Sequence, residues 1–357
     1  LKAVLVADLH LKTTDPNGKI LPSGLNSRLV DKMNNLKSAI DRAIKEEVDY
    51  FIILGDVFDK INPPEVLRDL FFETIAPLFK AQIPIIILVG NHDTDFKIHS
   101  FMADQKFISA LEATGDQFKI ISEPTEIDLG GTPSVFVPYN HPDEIMKFLV
   151  SYRASKGKLL LGHFDVKGAL VGGTEFAMQN GVPQNLLDGF RYSFLGHYHK
   201  HQRTKKWMYI GSGSIVDWGE AEDKKGYVLL TDEGKLNITF IQYPERTFFH
   251  HKVFQSDDPD FEALGTWEDL DGHIVKLTFI GDEDWYLQFN KTELKTRILK
   301  DLGAHRLSIA HSTSRTRDRA PEIDVSTGWI EGVEYYCKKS NRPDMLELGK
   351  EILQEVM

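Results

Sequence analysis

Five short polar clusters carry residue types able to do hydrolytic chemistry, and each stands where an apolar run stops: DLH (8–10), GDVFD (55–59), GNHD (90–93), GHF (162–164) and GHYH (196–199). Aspartate, histidine and a single asparagine are oxygen and nitrogen ligands, a mixture that suits divalent manganese, iron or zinc. Asp8 and His10 are two positions apart, as are His197 and His199, so on extended backbone each pair projects to one side and can chelate. A carboxylate can bridge two ions about 3.5–4 Å apart, and Asp56 is the candidate bridge. Asn91 would add an oxygen without adding charge, while His92 beside it points elsewhere. Gathering this many titratable groups without a cation would leave unpaired charge costing several kcal/mol per ion. Four of the five clusters place glycine just before the polar residue, where backbone must turn sharply and let an ion come close.

Such clusters work together only if the strands before them end together. AVLVAD (3–8), YFIILGD (50–56) and IPIIILVGN (83–91) are apolar at nearly every position, as buried parallel strands are. Between the first two, Val30, Met33, Leu36, Ile40 and Ile44 have helical spacing, and Pro63 and Pro64 open a second helix through LRDLFFETIAPLFK. PSVFVPY (133–139), KLLLGHF (158–164), YSFLGH (192–197), WMYIGS (207–212), GYVLLTD (226–232) and LNITFIQY (236–243) read as further strands. The pattern predicts a layered α/β fold, a sheet or a pair of packed sheets flanked by helices. In open α/β sheets the loops beyond the carboxyl ends of strands form the ligand crevice, so the five clusters can converge there.

Past about residue 245 the texture changes. HIVKLTFIG (273–281) and DWYLQFN (284–290) alternate like strands and KTELKTRILKDL (291–302) has helical spacing, which predicts a smaller α/β domain over 249–335 after a first domain of 1–248. In the segment 336–357, Met345, Leu348, Ile352 and Val356 form a helical stripe that either packs on its own domain or docks a partner.

Composition sets limits on the function. The longest apolar runs fall far short of a membrane span, and the first residues are apolar for too few positions to make a signal-peptide core, so the expected location is cytoplasmic. One cysteine, Cys337, excludes a thiolate-rich zinc site. A net charge of −11 argues against a chain that grips duplex nucleic acid unaided, although Lys200, Arg203, Lys205 and Lys206 form a basic cluster just past GHYH. The run SRTRDRAP (314–321) is a solvated loop or a phosphate contact, and Gly211, Ser212 and Gly213 are a turn or face phosphate. His99, His141, His201, His250, His251, His273, His305 and His311 read as ordinary core or surface histidines.

The ordered set D-x-H, G-D-x-x-D, G-N-H-D, G-H and G-H-x-H resembles the calcineurin-like metallophosphoesterases, and within them the SbcD-type nuclease subunits of double-strand-break repair. GNHD, "GHFDV", "YIGSGS" and a small additional domain carry the second resemblance. Carried over by position, it implies one ion on Asp8, His10, Asp56 and His199, and a second on Asp56, Asn91, His163 and His197. His92 would face the scissile phosphate, with Asp93 orienting its ring. The resemblance further implies two manganese ions, exonuclease action on duplex DNA ends, endonuclease action on single strands, a capping domain that recognises DNA, a coiled-coil ATPase partner of the SbcC type, and a homodimer. A phosphatase or phosphodiesterase acting on a phosphoprotein or small ester is the alternative. The chain departs from some relatives at Asp59, where they have histidine, and the polar loop from Lys12 to Ser27 is either plain surface or a substrate contact.

Overall fold

Alternation sorts the first strand onto two faces: Ala3 and Leu5 point one way, Val4 and Val6 the other, and all four are fully buried. The computed structural model describes residues 1–94, 115–152, 156–172, 177–244, 246–255, 270–313, 337 and 345–348. Its strands are β1 (Lys2–Val6), β2 (Tyr50–Leu54), β3 (Ile85–Leu88), β4 (Phe118–Ile121), β5 (Thr125–Asp128), β6 (Pro133–Val137), β7 (Leu159–His163), β8 (Tyr192–Gly196), β9 (Gln202–Arg203), β10 (Trp207–Tyr209), β11 (Gly226–Asp232), β12 (Leu236–Gln242), β13 (Phe248–Phe254), β14 (Ile274–Ile280) and β15 (Arg306–Ser312). One six-stranded sheet has the order β12-β11-β1-β2-β3-β4, a second β5-β6-β7-β8-β10-β9, and a three-stranded sheet β13-β14-β15. Strands β1 to β4 run parallel, as do β6, β7, β8 and β10, so within each sheet the strands that precede the polar clusters point one way.

The two large sheets pack face to face. Ala3, Leu5, Ile52, Leu54, Ile86 and Leu88 of the first meet Phe136, Leu159, Leu161, Phe194 and Met208 of the second. The outer face of the first sheet is covered by α1 (Ser27–Lys45) and α2 (Glu65–Lys80), through Leu29, Met33, Leu36, Ile40, Phe71, Ile75 and Leu78. The outer face of the second is covered by α3 (Pro142–Ser151), with Ile145 and Leu149 against Val135, Val137 and Leu160. Each such aliphatic side chain contributes about 1.5–3 kcal/mol when fully buried. The result is an α/β layered fold of two mixed sheets between helices, the class expected. α1 starts where Asn26 caps it, its side chain accepting from the Arg28 N–H.

By contacts the chain forms two compact units. The first comprises Leu1–Lys252, Asp260–Leu277 and Asn290–Ala310, and contains both large sheets. The second comprises Val253–Pro259, Thr278–Phe289 and His311–Met357. Within the second, DWYLQFN corrects a sequence expectation: it is not a strand but contributes a short helix, Glu283–Leu287. Trp285 and Phe289 are four apart, and both pack on Phe279, at 5.9 and 4.7 Å between ring centroids. That spacing puts them on one face of a helical turn, and Glu283 and Asp284 favour its N-terminus. The run SRTRDRAP, His99, and Ile352 and Val356 of the C-terminal stripe lie outside the described residues; Met345 and Leu348 are exposed. No helix among the described residues is long and apolar enough to cross a membrane.

Candidate metal centre

The polar clusters follow β1, β2 and β3 of one sheet and end or follow β7 and β8 of the other, and backbone hydrogen bonds join them. The N–H groups of Asp8 and His10 donate to the carbonyls of Gly55 and Asp56 at 3.1 and 3.0 Å. The His197 N–H reaches back to the Asp8 carboxylate at 3.0 Å. The local conformation is not extended: Asp8, His10, Asp56 and His197 have φ of 50°, 43°, 53° and 99°, a left-handed region costly for residues with a Cβ. The Asp8 and His10 pair therefore converges through a turned backbone. His197 and His199 stand in different donor groups.

Ligand atoms of Asp8, His10 and His199 lie within 4.8 Å of one another, and so do those of Asp56, His163 and His197. One carboxylate oxygen stands between the groups: Asp56 Oδ2 is 3.6 Å from His10 Nε2 and 3.4 Å from His163 Nε2. Asn91 Oδ1 lies 2.9 Å from His163 Nε2 and 2.8 Å from His197 Nδ1. Two glycines make the approach possible. A Cβ on Gly90 would fall 2.2 Å from Asp56 Oδ1, and one on Gly55, whose φ is 87°, would fall 2.2 Å from His163 Nδ1.

Outer partners settle which nitrogen faces inward in His163, His197 and His199. His163 Nδ1 donates to the Leu54 carbonyl at 2.7 Å, His197 Nε2 to Asp165 Oδ1 at 3.0 Å, and His199 Nδ1 to Glu220 Oε1 at 2.6 Å. In the neutral rings the inward nitrogens then carry lone pairs. His199 Nε2 meets His10 Nε2 at 2.9 Å, and two imidazole nitrogens converge on the Asn91 oxygen. Lone pairs directed at one another in a buried pocket suit a cation, and an oxygen-and-nitrogen donor set fits a divalent one. Without a cation the group takes up protons instead: burial opposes a charge on His163, but the Asp56 carboxylate outweighs it and lifts the imidazole to about 9, so a bound cation would replace a proton there. Burial likewise opposes ionisation of Asp56, but His163 and His10 hold its carboxyl well below the usual range. Burial, with Asp56 close by, raises Asp8.

His92 and Asp93 part company. The turn Asn91–Asp93 sends them to different sides: His92 is exposed, and Asp93 is fully buried. The expectation that Asp93 orients the His92 ring is corrected, since Asp93 Oδ2 accepts the N–H groups of Asp56 at 2.7 Å and Gly90 at 3.0 Å. The ring is held instead by the Asp59 carbonyl, to which Nδ1 donates at 2.9 Å. A ring nitrogen of His92 lies within 4.8 Å of ligand atoms of His10 and Asp56.

Sequence reasoning did not single out Asp165, Glu220, Lys32 or Lys225. Asp165 lies two residues past His163, within GHFDV. Glu220, Lys32 and Lys225 carry no motif. Lys32 reaches from α1 to the His10 carbonyl at 2.7 Å, and Lys225 donates to Glu220 at 2.9 Å. Of the histidines read as ordinary, His201 donates to the Tyr209 and Ile210 carbonyls and stacks on Phe240, His305 bonds the Ser27 hydroxyl, and His311 bonds the Gly281 carbonyl. The loop from Lys12 to Ser27 folds back on itself through Ser27 N–H to Lys19 O and Leu21 N–H to Leu25 O, at 2.8 and 2.9 Å.

The chain has recognisable relatives by sequence. The chain is 27% identical over 293 residues to the SbcD component of the SbcCD nuclease of Staphylococcus epidermidis, covering 73% of this chain and 74% of that one. It is 23% identical over 226 residues to exonuclease subunit 1 of Enterobacteria phage T4, covering 62% and 63%. It is 30% identical over 218 residues to the DNA double-strand break repair protein Mre11 of Aeropyrum pernix, covering 56% and 49%. Less than two thirds of the phage and archaeal proteins is thus spanned. The family description "Calcineurin-like phosphoesterase" matches residues 1–286, and with that match, two facing sheets and five clusters around one pocket, the chain belongs to the calcineurin-like phosphoesterase family.

Proposed function

We propose that this protein is a two-metal nuclease that hydrolyses DNA phosphodiester bonds, acting on duplex ends and on single strands as the nuclease component of a repair complex with a coiled-coil ATPase. The observation that carries the reading is Asp56 Oδ2, which stands within 3.6 Å of His10 and 3.4 Å of His163 and so belongs to both donor groups. Asp8, His10, Asp56 and His199 would hold one cation, and Asp56, Asn91, His163 and His197 the other, with manganese the expected metal. When bound, such a pair polarises water and neutralises the oxygens of a phosphodiester. The chain's own residues supply the rest. Asp93 holds the Asp56 backbone, the outer partners of His163, His197 and His199 engage the outward nitrogens and leave the inward ones facing the cations, and His92 faces the substrate. With His92 Nδ1–H committed to the Asp59 carbonyl, Nε2 is the atom left to face the departing oxygen, and it delivers a proton from the imidazolium form, returning to the neutral ring with Nδ1–H still on the carbonyl.

The names of the three relatives, a nuclease subunit, an exonuclease subunit and a DNA double-strand break repair protein, support a nucleic-acid substrate, and the last supports DNA. A net charge of −11 is compatible with it, because two divalent cations would place four positive charges where the phosphate sits, and local field outweighs the sum. Arg203, Lys205 and Lys206 beyond the GHYH cluster are exposed and offer further phosphate contacts. We take 1–248 as the hydrolytic domain, 249–335 as a capping and DNA-recognition domain, and 336–357 as a partner-docking segment, in a homodimer located in the cytoplasm. The test is digestion of linear duplex and single-stranded oligonucleotides with manganese, against p-nitrophenyl phosphate esters. DNA cleavage by the wild type is expected, and turnover of the small esters alone would replace this reading with a phosphatase.

A further inference from the structure

We infer that Glu220 is a positioning residue that fixes His199 for one of the two cations, and that Asp165 does the same through His197 for the other, so that the two ion sites can be weakened independently. The inference rests on the two-cation reading above. Glu220 closes the short turn Trp218–Glu220, is 3% exposed, and uses both carboxylate oxygens. Oε1 accepts Nδ1–H of His199 at 2.6 Å, while Oε2 accepts the Val216 N–H and the Lys225 ammonium, each at 2.9 Å. Lys225, 1% exposed, also donates to the His199 carbonyl at 3.0 Å. Ring and main chain of one histidine are therefore gripped by the same buried ion pair.

A neutral imidazole carries one proton. Committing it to Glu220 at Nδ1 leaves a lone pair on Nε2, directed at the group formed with Asp8 and His10. Turning the ring over would strand the carboxylate oxygen of a buried pair, which is costly. Nothing in this arrangement reaches the second group. There His163 relies on the Leu54 carbonyl, and His197 on Asp165, whose Oδ1 also accepts the Tyr198 hydroxyl. Each group thus has its own outer carboxylate, and the two carboxylates belong to different loops, one after β7 and one after β10.

Outer partners of this kind typically govern metal affinity by about 10–100-fold. The experiment uses the full chain, stripped of metal with a chelator, with manganese titrated by calorimetry and followed by electron paramagnetic resonance. The wild type is expected to take up two ions and to show a spin-coupled pair. E220Q is expected to retain one ion at wild-type affinity and to bind the other about 10–100-fold more weakly, giving the spectrum of an isolated ion at one equivalent. D165N should do likewise, and the double variant should weaken both ions. E220D, which keeps the carboxylate, should restore much of the loss, and it serves as the test if E220Q does not fold. Unchanged affinities in E220Q and D165N, or a double variant that still holds one ion at wild-type affinity, would overturn the inference. A wild type that takes up fewer than two ions would sink the two-cation reading instead.

Discussion

Asp93 accepts the backbone N–H of Asp56 at 2.7 Å, and through it supports a carboxylate-bearing residue held at a φ of 53°. Because Asp93 is fully buried and takes the Gly90 N–H on the same oxygen, removing its side chain leaves two buried donors without an acceptor. Asp93→Ala is expected to destabilise the fold by about 2–4 kcal/mol and to weaken metal binding, since unsatisfied buried donors cost about 1–3 kcal/mol each. Asp93→Asn keeps an acceptor in place and is expected to stay near wild type. Urea unfolding of both variants measures the difference; equal losses would show that the carboxylate itself, and not an acceptor atom in its place, is what Asp93 provides.

His92 is proposed to donate a proton without holding metal. His92→Ala is expected to lower turnover on DNA by about 10²–10⁴-fold, the range for a lost general acid, with metal content unchanged. Elemental analysis alongside the nuclease assay decides it. An emptied site would make His92 a ligand.

Gly90 admits Asp56 at a distance no side chain tolerates, 2.2 Å from a notional Cβ to Oδ1 and 2.5 Å to the Asp56 nitrogen. Gly90→Ala must displace the residue shared by both donor groups, so the expected outcome is loss of both ions together and of activity, while circular dichroism retains most of its signal. Retention of one tightly held ion would mean that Asp56 is not shared.

Arg191, just before β8, and Asp232, at the end of β11, form a two-pronged pair, at 2.5 and 2.8 Å, that ties one large sheet to the other. The hydrogen bonds from Arg191 hold the Asp232 carboxyl below its usual range. A depressed carboxyl stabilises the fold above its unfolded pKa and loses that contribution as pH falls through the folded value. Arg191→Gln is therefore expected to cost about 1 kcal/mol at neutral pH, allowing for solvent screening, and progressively less below about pH 4. Activity should be unaffected. Thermal melts across pH 3–7 would show the difference between wild type and variant narrowing on the acid side; a constant difference would mean the stabilisation is not ionic.

Most of the framework was legible from local pattern. GYVLLTD is β11 from end to end, and runs such as YFIILGD overshoot their strands only because the polar residues after them continue the extended look of the sequence. DWYLQFN misled because alternating aromatics resemble a strand, whereas Trp285 and Phe289 are placed by a ring contact with Phe279. Asp93 misled for a related reason: adjacency to His92 suggests a partner, but a three-residue turn sends neighbouring side chains apart.

The sequence by itself determined the donor chemistry, the order of the clusters and their position at strand ends, because residue type and hydrophobic period are local properties. Only the tertiary structure decided how the donors divide, with His197 and His199 parted between two groups, and which carboxylates stand behind them. Those choices depend on two sheets meeting at their strand ends, which brings Asp56 beside His163 and Glu220 beside His199 from distant parts of the chain. The left-handed backbone at Asp8, His10, Asp56 and His197 belongs to the same class: aspartate and histidine tolerate it better than most residues with a Cβ, but hydrogen bonds from distant parts of the chain hold it.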